Sequence, residues 1–63
     1  MKVYVIVNKD SKVVGVFQSI SEIIQEVGHF DNGIPSLKIG DTLLTHINGE
    51  LHKIIYLLTN KVY

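Results

Sequence analysis

The sequence predicts a small α+β domain in which two β-hairpins, joined through one short helix, form a mostly antiparallel sheet in the order β-β-α-β-β. Valine and isoleucine are abundant and alanine is absent, which favours a sheet over a helix bundle. The Asn48-Gly49 pair, between two apolar runs, is the strongest short-range signal for a hairpin. Residues 20–27 have the apolar spacing of a helix. A chain this short has room for one core, so residues 1–63 form a single domain.

The first hairpin is predicted at the start of the chain. In an extended strand the odd-numbered valines point one way, and Tyr4 and Ile6 point the other. Both sets are apolar, so we expect this strand to be covered on both faces. Residues 8–11 are predicted to form a turn, because their short polar side chains can hydrogen-bond to the local backbone. Residues 13–17 then return as a second strand, in which Gly15 indicates a bulge or a close packing contact.

A short helix is predicted over residues 20–27. Ser19 and Glu22 fit a capping box, in which the hydroxyl accepts an N–H of the first turn and the carboxylate reaches back to the helix start. Gly28 suits a left-handed C-terminal stop. A helix of two turns is not stable alone, so we expect it to pack against the sheet. The residues of its apolar face are Ile20, Ile23, Ile24 and Val27.

The second hairpin is predicted on both sides of Asn48-Gly49. A two-residue type I′ turn there pairs Ile47 with Glu50 and fixes the register beyond it. One face then carries Leu43, Thr45, Ile47, His52, Ile54 and Tyr56. The other carries Leu44, His46, Leu51, Lys53, Ile55 and Leu57. Neither face of this hairpin is clearly polar. We therefore expect the helix to cover one face and another part of the chain or a partner to cover the other.

The same stretch holds the candidates for catalytic or metal-binding chemistry, His46, Glu50 and His52. In the predicted register the two histidines point to opposite faces, so they cannot bind one metal ion together. Glu50 and His52 share a face, but acid–base catalysis also needs a pocket and a third group. The absence of cysteine excludes a thiolate zinc site. We therefore predict a turn with solvated polar residues, no catalytic or metal-binding residue, no cofactor and no enzymatic activity.

The charge balance argues against a nucleic-acid partner, and the lengths of the apolar runs argue against a membrane-spanning segment. Six lysines balance six acidic residues, and no arginine is available for bidentate contacts with phosphate or guanine. No apolar run approaches the roughly 18 residues needed to cross a bilayer, and the N-terminus lacks a signal-peptide pattern. We expect a cytoplasmic protein. The alternative function is a small nucleic-acid-associated regulator that uses Lys9, Lys12 and Lys53.

The apolar surplus predicts protein partners. Hydrophobic residues make up 46% of the chain and charged residues 19%, more apolar surface than four short strands and one helix can cover. We expect a homodimer, formed by strand or sheet-face pairing, in which the uncovered patch is its own complement. Aromatic side chains are enriched at such interfaces. The candidate interface residues are Tyr4, Ile6, Leu44, Leu51, Ile55, Tyr56, Leu57 and Tyr63.

Two stretches resemble known small proteins. The opening MKVYVIV, with KVVGVFQSISEII after it, resembles small uncharacterised proteins of bacteriophages and prophages of Gram-positive bacteria, in which a hairpin leads into a capped helix. The stretch LKIGDTLLTHINGELHKI is similar to a hairpin of small barrel-like modules. The first resemblance implies a phage accessory protein that binds an unidentified host protein in the host cytoplasm and modulates or inhibits it. Neither resemblance assigns a catalytic residue.

Overall fold

The structure, a computed structural model, describes residues 1–59. It contains one four-stranded antiparallel sheet and one helix between the second and third strands, which confirms the predicted α+β class and element order. The strand order across the sheet is β2-β1-β4-β3, so β2 and β3 are the edges. Tyr63 lies outside the described residues. In chain order the elements are β1 (Lys2–Asn8), β2 (Val13–Phe17), α1 (Ile20–Glu26), β3 (Thr42–Ile47) and β4 (Glu50–Leu58).

One side chain holds the turn between β1 and β2. Asn8 Oδ1 accepts the backbone N–H groups of Asp10 and Lys12, at 2.9 and 3.0 Å. The Ser11 N–H donates to the Asn8 carbonyl at 3.0 Å, and Ser11 adopts a φ of 63°. The predicted turn is confirmed, because the short amide side chain supplies an acceptor that the reversing backbone would otherwise lack.

A bulge interrupts β2 beside Gly15. Ile6 lies opposite Gly15, but the next residue of β1 lies opposite Val13, so Val14 is an extra residue on β2. Gly15 also makes a close packing contact, since a Cβ atom there would lie 2.7 Å from Cζ of Phe17. The Phe17 ring therefore crosses over Gly15, and the structure contains both features that this glycine indicated.

The cap of α1 forms much as predicted. Ser19 Oγ accepts the Glu22 N–H at 3.2 Å. The Glu22 carboxylate reaches back to the Gln18 N–H at 2.7 Å, one residue before the cap residue itself. The helix ends at Glu26, one residue earlier than predicted, and Gly28 follows with a φ of +146°.

The second hairpin has the predicted register. Ile47 pairs with Glu50, and the pairs further from the turn follow without a shift. Asn48 and Gly49 both have positive φ, 53° and 82°, as a type I′ turn requires. The Asp31 carboxylate accepts the Gly49 N–H at 2.9 Å and so fixes the turn to the linker after α1.

The core lies between α1 and one face of the sheet. Each isoleucine or phenylalanine that becomes fully buried contributes about 1.5–3 kcal/mol. The helix packs on the sheet through the apolar face that its sequence spacing predicts. The buried cluster is Ile6, Ile23, Phe30, Ile47 and Ile54. Partly buried side chains around it are Tyr4, Phe17, Ile20, Ile24, Val27 and Leu37.

The linker between α1 and β3 contributes Phe30 to this core. Phe30 is buried and forms an isolated bridge with Ile47. The Asp31 N–H donates to the His46 carbonyl at 2.9 Å, which holds the linker against β3. Residues 29–31 therefore cover part of the outer edge of β3.

Candidate protein-binding surface

The face of the sheet opposite α1 consists mainly of apolar side chains. Strand alternation and the observed register place residues from all four strands on it. Nine of its twelve members are apolar, and within residues 1–59 no helix or strand covers it, because α1 packs on the other face. We call this surface the open face: Val3, Val5, Val7, Val13, Val16, Thr42, Leu44, His46, Leu51, Lys53, Ile55 and Leu57.

Members of the open face differ in exposure: Val3 is buried, with 6% exposed, Val5, Val7 and Ile55 are half-buried, and the other eight are exposed. Leu44 is 63% exposed, Val13 62% and Val16 59%. Leu51 and Leu57 are 40% and 39% exposed. Single exposed apolar side chains are normal on a protein surface, whereas contiguous apolar patches larger than a few hundred Å² are rare on monomers. The open face is therefore notable for the contiguity of its apolar members.

Strand geometry gives the size of the open face. Four strands about 4.8 Å apart make it roughly 19 Å wide, and seven residues of β1 at about 3.3 Å each make it roughly 23 Å long. Its plane thus covers roughly 400 Å², comparable with the largest apolar patches on monomeric proteins, which are often functional. That is about half of the roughly 800 Å² that each partner buries in a standard interface.

A shallow depression of about 130 Å³ lies at the end of the open face nearest the β1–β2 turn. Leu44 and Leu51 supply apolar walls, and Lys9 and Lys53 supply charge. No member of the open face is a carboxylate. The surface therefore combines an apolar floor with positive charge at one end.

Four of the candidate interface residues lie together on the open face, namely Leu44, Leu51, Ile55 and Leu57. They come from β3 and β4, and the predicted register of the second hairpin already places them on one face. Their contact with a partner stays a prediction.

Three other candidates lie on the core face. Ile6 is completely buried, so the expectation that it contacts a partner is wrong; it fills the core beside Ile23. Tyr4 and Tyr56 are half-buried and stack on each other. Burial raises the pKa of Tyr4, and the neighbouring Tyr56 hydroxyl adds to the increase. The candidate set mixed both faces because alternate residues of a strand point to opposite sides of the sheet.

The contribution of β2 to the open face was missed from the sequence. Val13 and Val16 are among the most exposed apolar residues of this surface. Their direction depends on the bulge at Val14, which changes the alternation of β2 and cannot be located from the apolar pattern. The available signal was the charge-free run VVGVF, which has no polar side chain for either face.

The histidines and the glutamate near the second turn do not form one site. His52 is buried on the core face, with Nδ1 2.8 Å from the Glu50 carbonyl oxygen, so Nδ1 donates a hydrogen bond to that oxygen. His46 is exposed on the open face, opposite Leu51. Among residues 1–59, no group of three or more His, Cys, Asp or Glu is placed to hold a metal ion.

In the described part of the chain, no helix has the length and apolarity to cross a membrane. Comparisons with protein-family models, with curated proteins and with solved structures find no match. Function must therefore be inferred from the geometry of the open face.

Proposed function

We propose that this protein is a non-enzymatic binding module that attaches to another protein through its open face. The observation that carries the proposal is the contiguity of nine apolar side chains on a face that no element within residues 1–59 covers. A hydrophobic sheet face is normally buried against a second layer. Apolar surface that stays exposed forgoes roughly 25 cal/mol of burial free energy for each Å². A bound protein would recover part of that free energy.

The resemblance to phage and prophage accessory proteins supports a host protein as the partner, which the module modulates or inhibits. In this proposal the module acts as a homodimer. Lys9 and Lys53 at one end of the open face favour a partner surface that is apolar and carries an acidic residue at its edge.

In the first step of the test, this protein is immobilised and exposed to a lysate of a Gram-positive host. The partner that it captures is then identified by mass spectrometry. The affinity of the purified partner is then compared between two variants. Leu44→Lys places a charge within the apolar floor, where Leu44 is 63% exposed. Ile34→Lys makes the same change in the linker, where Ile34 is 68% exposed.

The proposal predicts that Leu44→Lys weakens binding at least tenfold, about 1.4 kcal/mol, while Ile34→Lys binds like the wild type. Circular dichroism checks that both variants are folded. Equal affinity of the two variants would remove the open face as the binding surface.

A nucleic-acid-associated regulator is the second candidate, because Lys9 and Lys53 line one depression. Binding of DNA or RNA through two lysines would weaken with salt, with a slope of about −1.8 in a log–log plot for a duplex. Such binding, lost in a Lys9→Gln/Lys53→Gln variant, would favour this function. No detectable binding at low salt would exclude it.

A further inference from the structure

Lys53 is a cation set among apolar residues of the open face. Its cross-strand neighbours are Val7 on β1 and Leu44 on β3. Along β4, the residues two positions away point to the same side of the sheet, and they are Leu51 and Ile55. The neighbours of Lys53 on the open face, across the strands and along its own strand, are therefore all apolar.

The open face supplies no counter-charge for this ammonium group. Lys53 and His46 are its only ionisable members, and neither is an acid. The residues within 1–59 that line the depression beside Lys53 likewise include no carboxylate. In the free protein Lys53 is exposed, so water solvates its charge.

A protein that covers the open face must remove much of this water. An ammonium group that is buried without a partner is strongly destabilising, whereas a carboxylate placed against it restores a charge-assisted hydrogen bond. A purely apolar surface would therefore be disfavoured at Lys53. A surface that combines apolar side chains with one carboxylate would be favoured, so the lysine selects among apolar partners.

The depression beside Lys53 has room for one apolar side chain. Its volume of about 130 Å³ is close to the roughly 150 Å³ of a cavity that holds a benzene ring. Leu44 and Leu51 supply apolar walls, and Lys9 and Lys53 also line it. The depression thus places contacts for an aliphatic or aromatic group directly beside a positive charge.

We propose that the depression receives an apolar side chain of the partner protein together with a neighbouring carboxylate, and that Lys53 pairs with this carboxylate. Leu44 and Leu51 contact the apolar side chain. The inference rests on the proposed binding function and names the chemical groups that the partner presents. A second copy of this chain does not fit the requirement, because its open face would bring another Lys53 and no carboxylate.

Two synthetic peptides test the site without the natural partner. The first, acetyl-Leu-Thr-Glu-Thr-Leu-amide, presents a glutamate between two leucines on one side of an extended chain. This spacing matches that of Leu51, Lys53 and Ile55 on β4. The second peptide has glutamine in place of the glutamate, so the two differ only in charge and in the hydrogen bonds that this charge strengthens.

NMR titration at low salt measures both affinities and shows which residues respond. The glutamate peptide should give saturable shifts at Leu44, Leu51 and Lys53, and it should bind roughly threefold or more tightly than the glutamine peptide. Lys53→Met removes the charge but keeps a long apolar side chain, so this variant should bind both peptides equally. Lys38→Met removes the same charge from an exposed position in the linker, and it should keep the wild-type preference.

Four results would overturn the inference. They are equal affinity of the wild type for both peptides, a preference that persists in Lys53→Met, no shifts with either peptide at millimolar concentration, and a stronger response to a thymidine oligonucleotide, which would favour nucleic acid. Shifts at Leu44 and Leu51 that depend on protein concentration without any peptide would also overturn it, in favour of a second copy as the occupant. The NMR spectrum of each variant shows whether it is folded.

The inference and the proposed function fail separately when the captured host partner is used. If Leu44→Lys loses this partner while Lys53→Met binds it more tightly, the open face is the binding surface but no carboxylate meets Lys53. If the peptide preference is as expected and Leu44→Lys binds the partner normally, the depression is a carboxylate site and the open face is not the surface that binds this partner.

Discussion

Tyr4 and Tyr56 lie directly opposite each other on the two central strands, and their rings stack with centroids 4.3 Å apart and an interplanar angle of 10°. A stacked aromatic pair contributes about 0.5–1.5 kcal/mol beyond the area that it buries. Both rings lie on the core face, and Tyr4 packs against the buried cluster. The stack therefore joins β1 to β4, two strands from opposite ends of the chain.

We expect the free energy of unfolding to fall above about pH 10 because of Tyr4. Burial, with a further contribution from the Tyr56 hydroxyl, raises the pKa of Tyr4 in the folded protein. In the unfolded chain this tyrosine ionises at its ordinary pKa, while the folded protein keeps the proton. Its stability contribution is therefore complete below about pH 10 and is lost as the pH rises through the folded pKa.

Urea unfolding between about pH 7 and pH 11 measures this effect. Tyr4→Phe keeps the ring but has no ionisable group, so it should retain more of its neutral-pH stability at high pH than the wild type. The same decline in both proteins would show that Tyr4 has no part in it.

Gly28 makes a contact that no larger residue can make. Its φ is +146°, and a Cβ atom there would lie 2.8 Å from Cβ of Asn48 in the second turn. Gly33 also has a positive φ, +90°, but a Cβ atom there would meet nothing within 4 Å. A substitution at Gly33 therefore measures the cost of backbone strain without a steric clash. Gly33→Ala should cost about 1–2 kcal/mol of strain, and Gly28→Ala about 1–3 kcal/mol more. Equal thermal destabilisation of the two variants would contradict the close contact.

Gly15 and Phe17 should be energetically coupled. A methyl group at position 15 would lie 2.7 Å from the Phe17 ring, so Gly15→Ala must displace that partly buried ring, at a cost of about 1–3 kcal/mol. In a Phe17→Leu background the same substitution should cost less. A double-mutant cycle by urea unfolding measures the difference, which should be about 1 kcal/mol. Additive costs would mean that the ring moves aside freely.

The Glu22 carboxylate should stabilise the start of α1 through the Gln18 N–H. Glu22→Ala should lower the free energy of unfolding by about 0.5–1.5 kcal/mol, since it removes a charge-assisted hydrogen bond and a negative charge from the first turn. Glu26→Ala removes the same charge from the last helical residue and serves as the control. Chemical unfolding of both variants checks this, and an equal loss in each would rule out the capping role.

The hairpins and the helix could be predicted because their determinants are local. Asn48-Gly49 sets a turn whose geometry fixes the register of β3 and β4, and Ser19 with Glu22 sets the start of α1. The open face could be predicted for β3 and β4 for the same reason. Each of these features depends on residues within a few positions of one another.

Features that depend on distant contacts could not be predicted. Phe30 looks like part of an irregular linker, and only its bridge to Ile47 makes it a core residue. The sequence does not say which face of β1 the helix covers, so it could not distinguish a buried Ile6 from one at an interface. Gly15 indicated a bulge in β2, but the spacing of the valines does not show that Val14 is the extra residue, and that position decides where the other valines point.

The measurement that tests the open face most directly is methyl NMR of the protein titrated with its captured partner. The account predicts the largest chemical-shift changes at Leu44, Leu51 and Leu57, with small changes at the exposed linker residues Ile34 and Ile39. Changes concentrated at Ile34 and Ile39, with the three leucines unmoved, would contradict it.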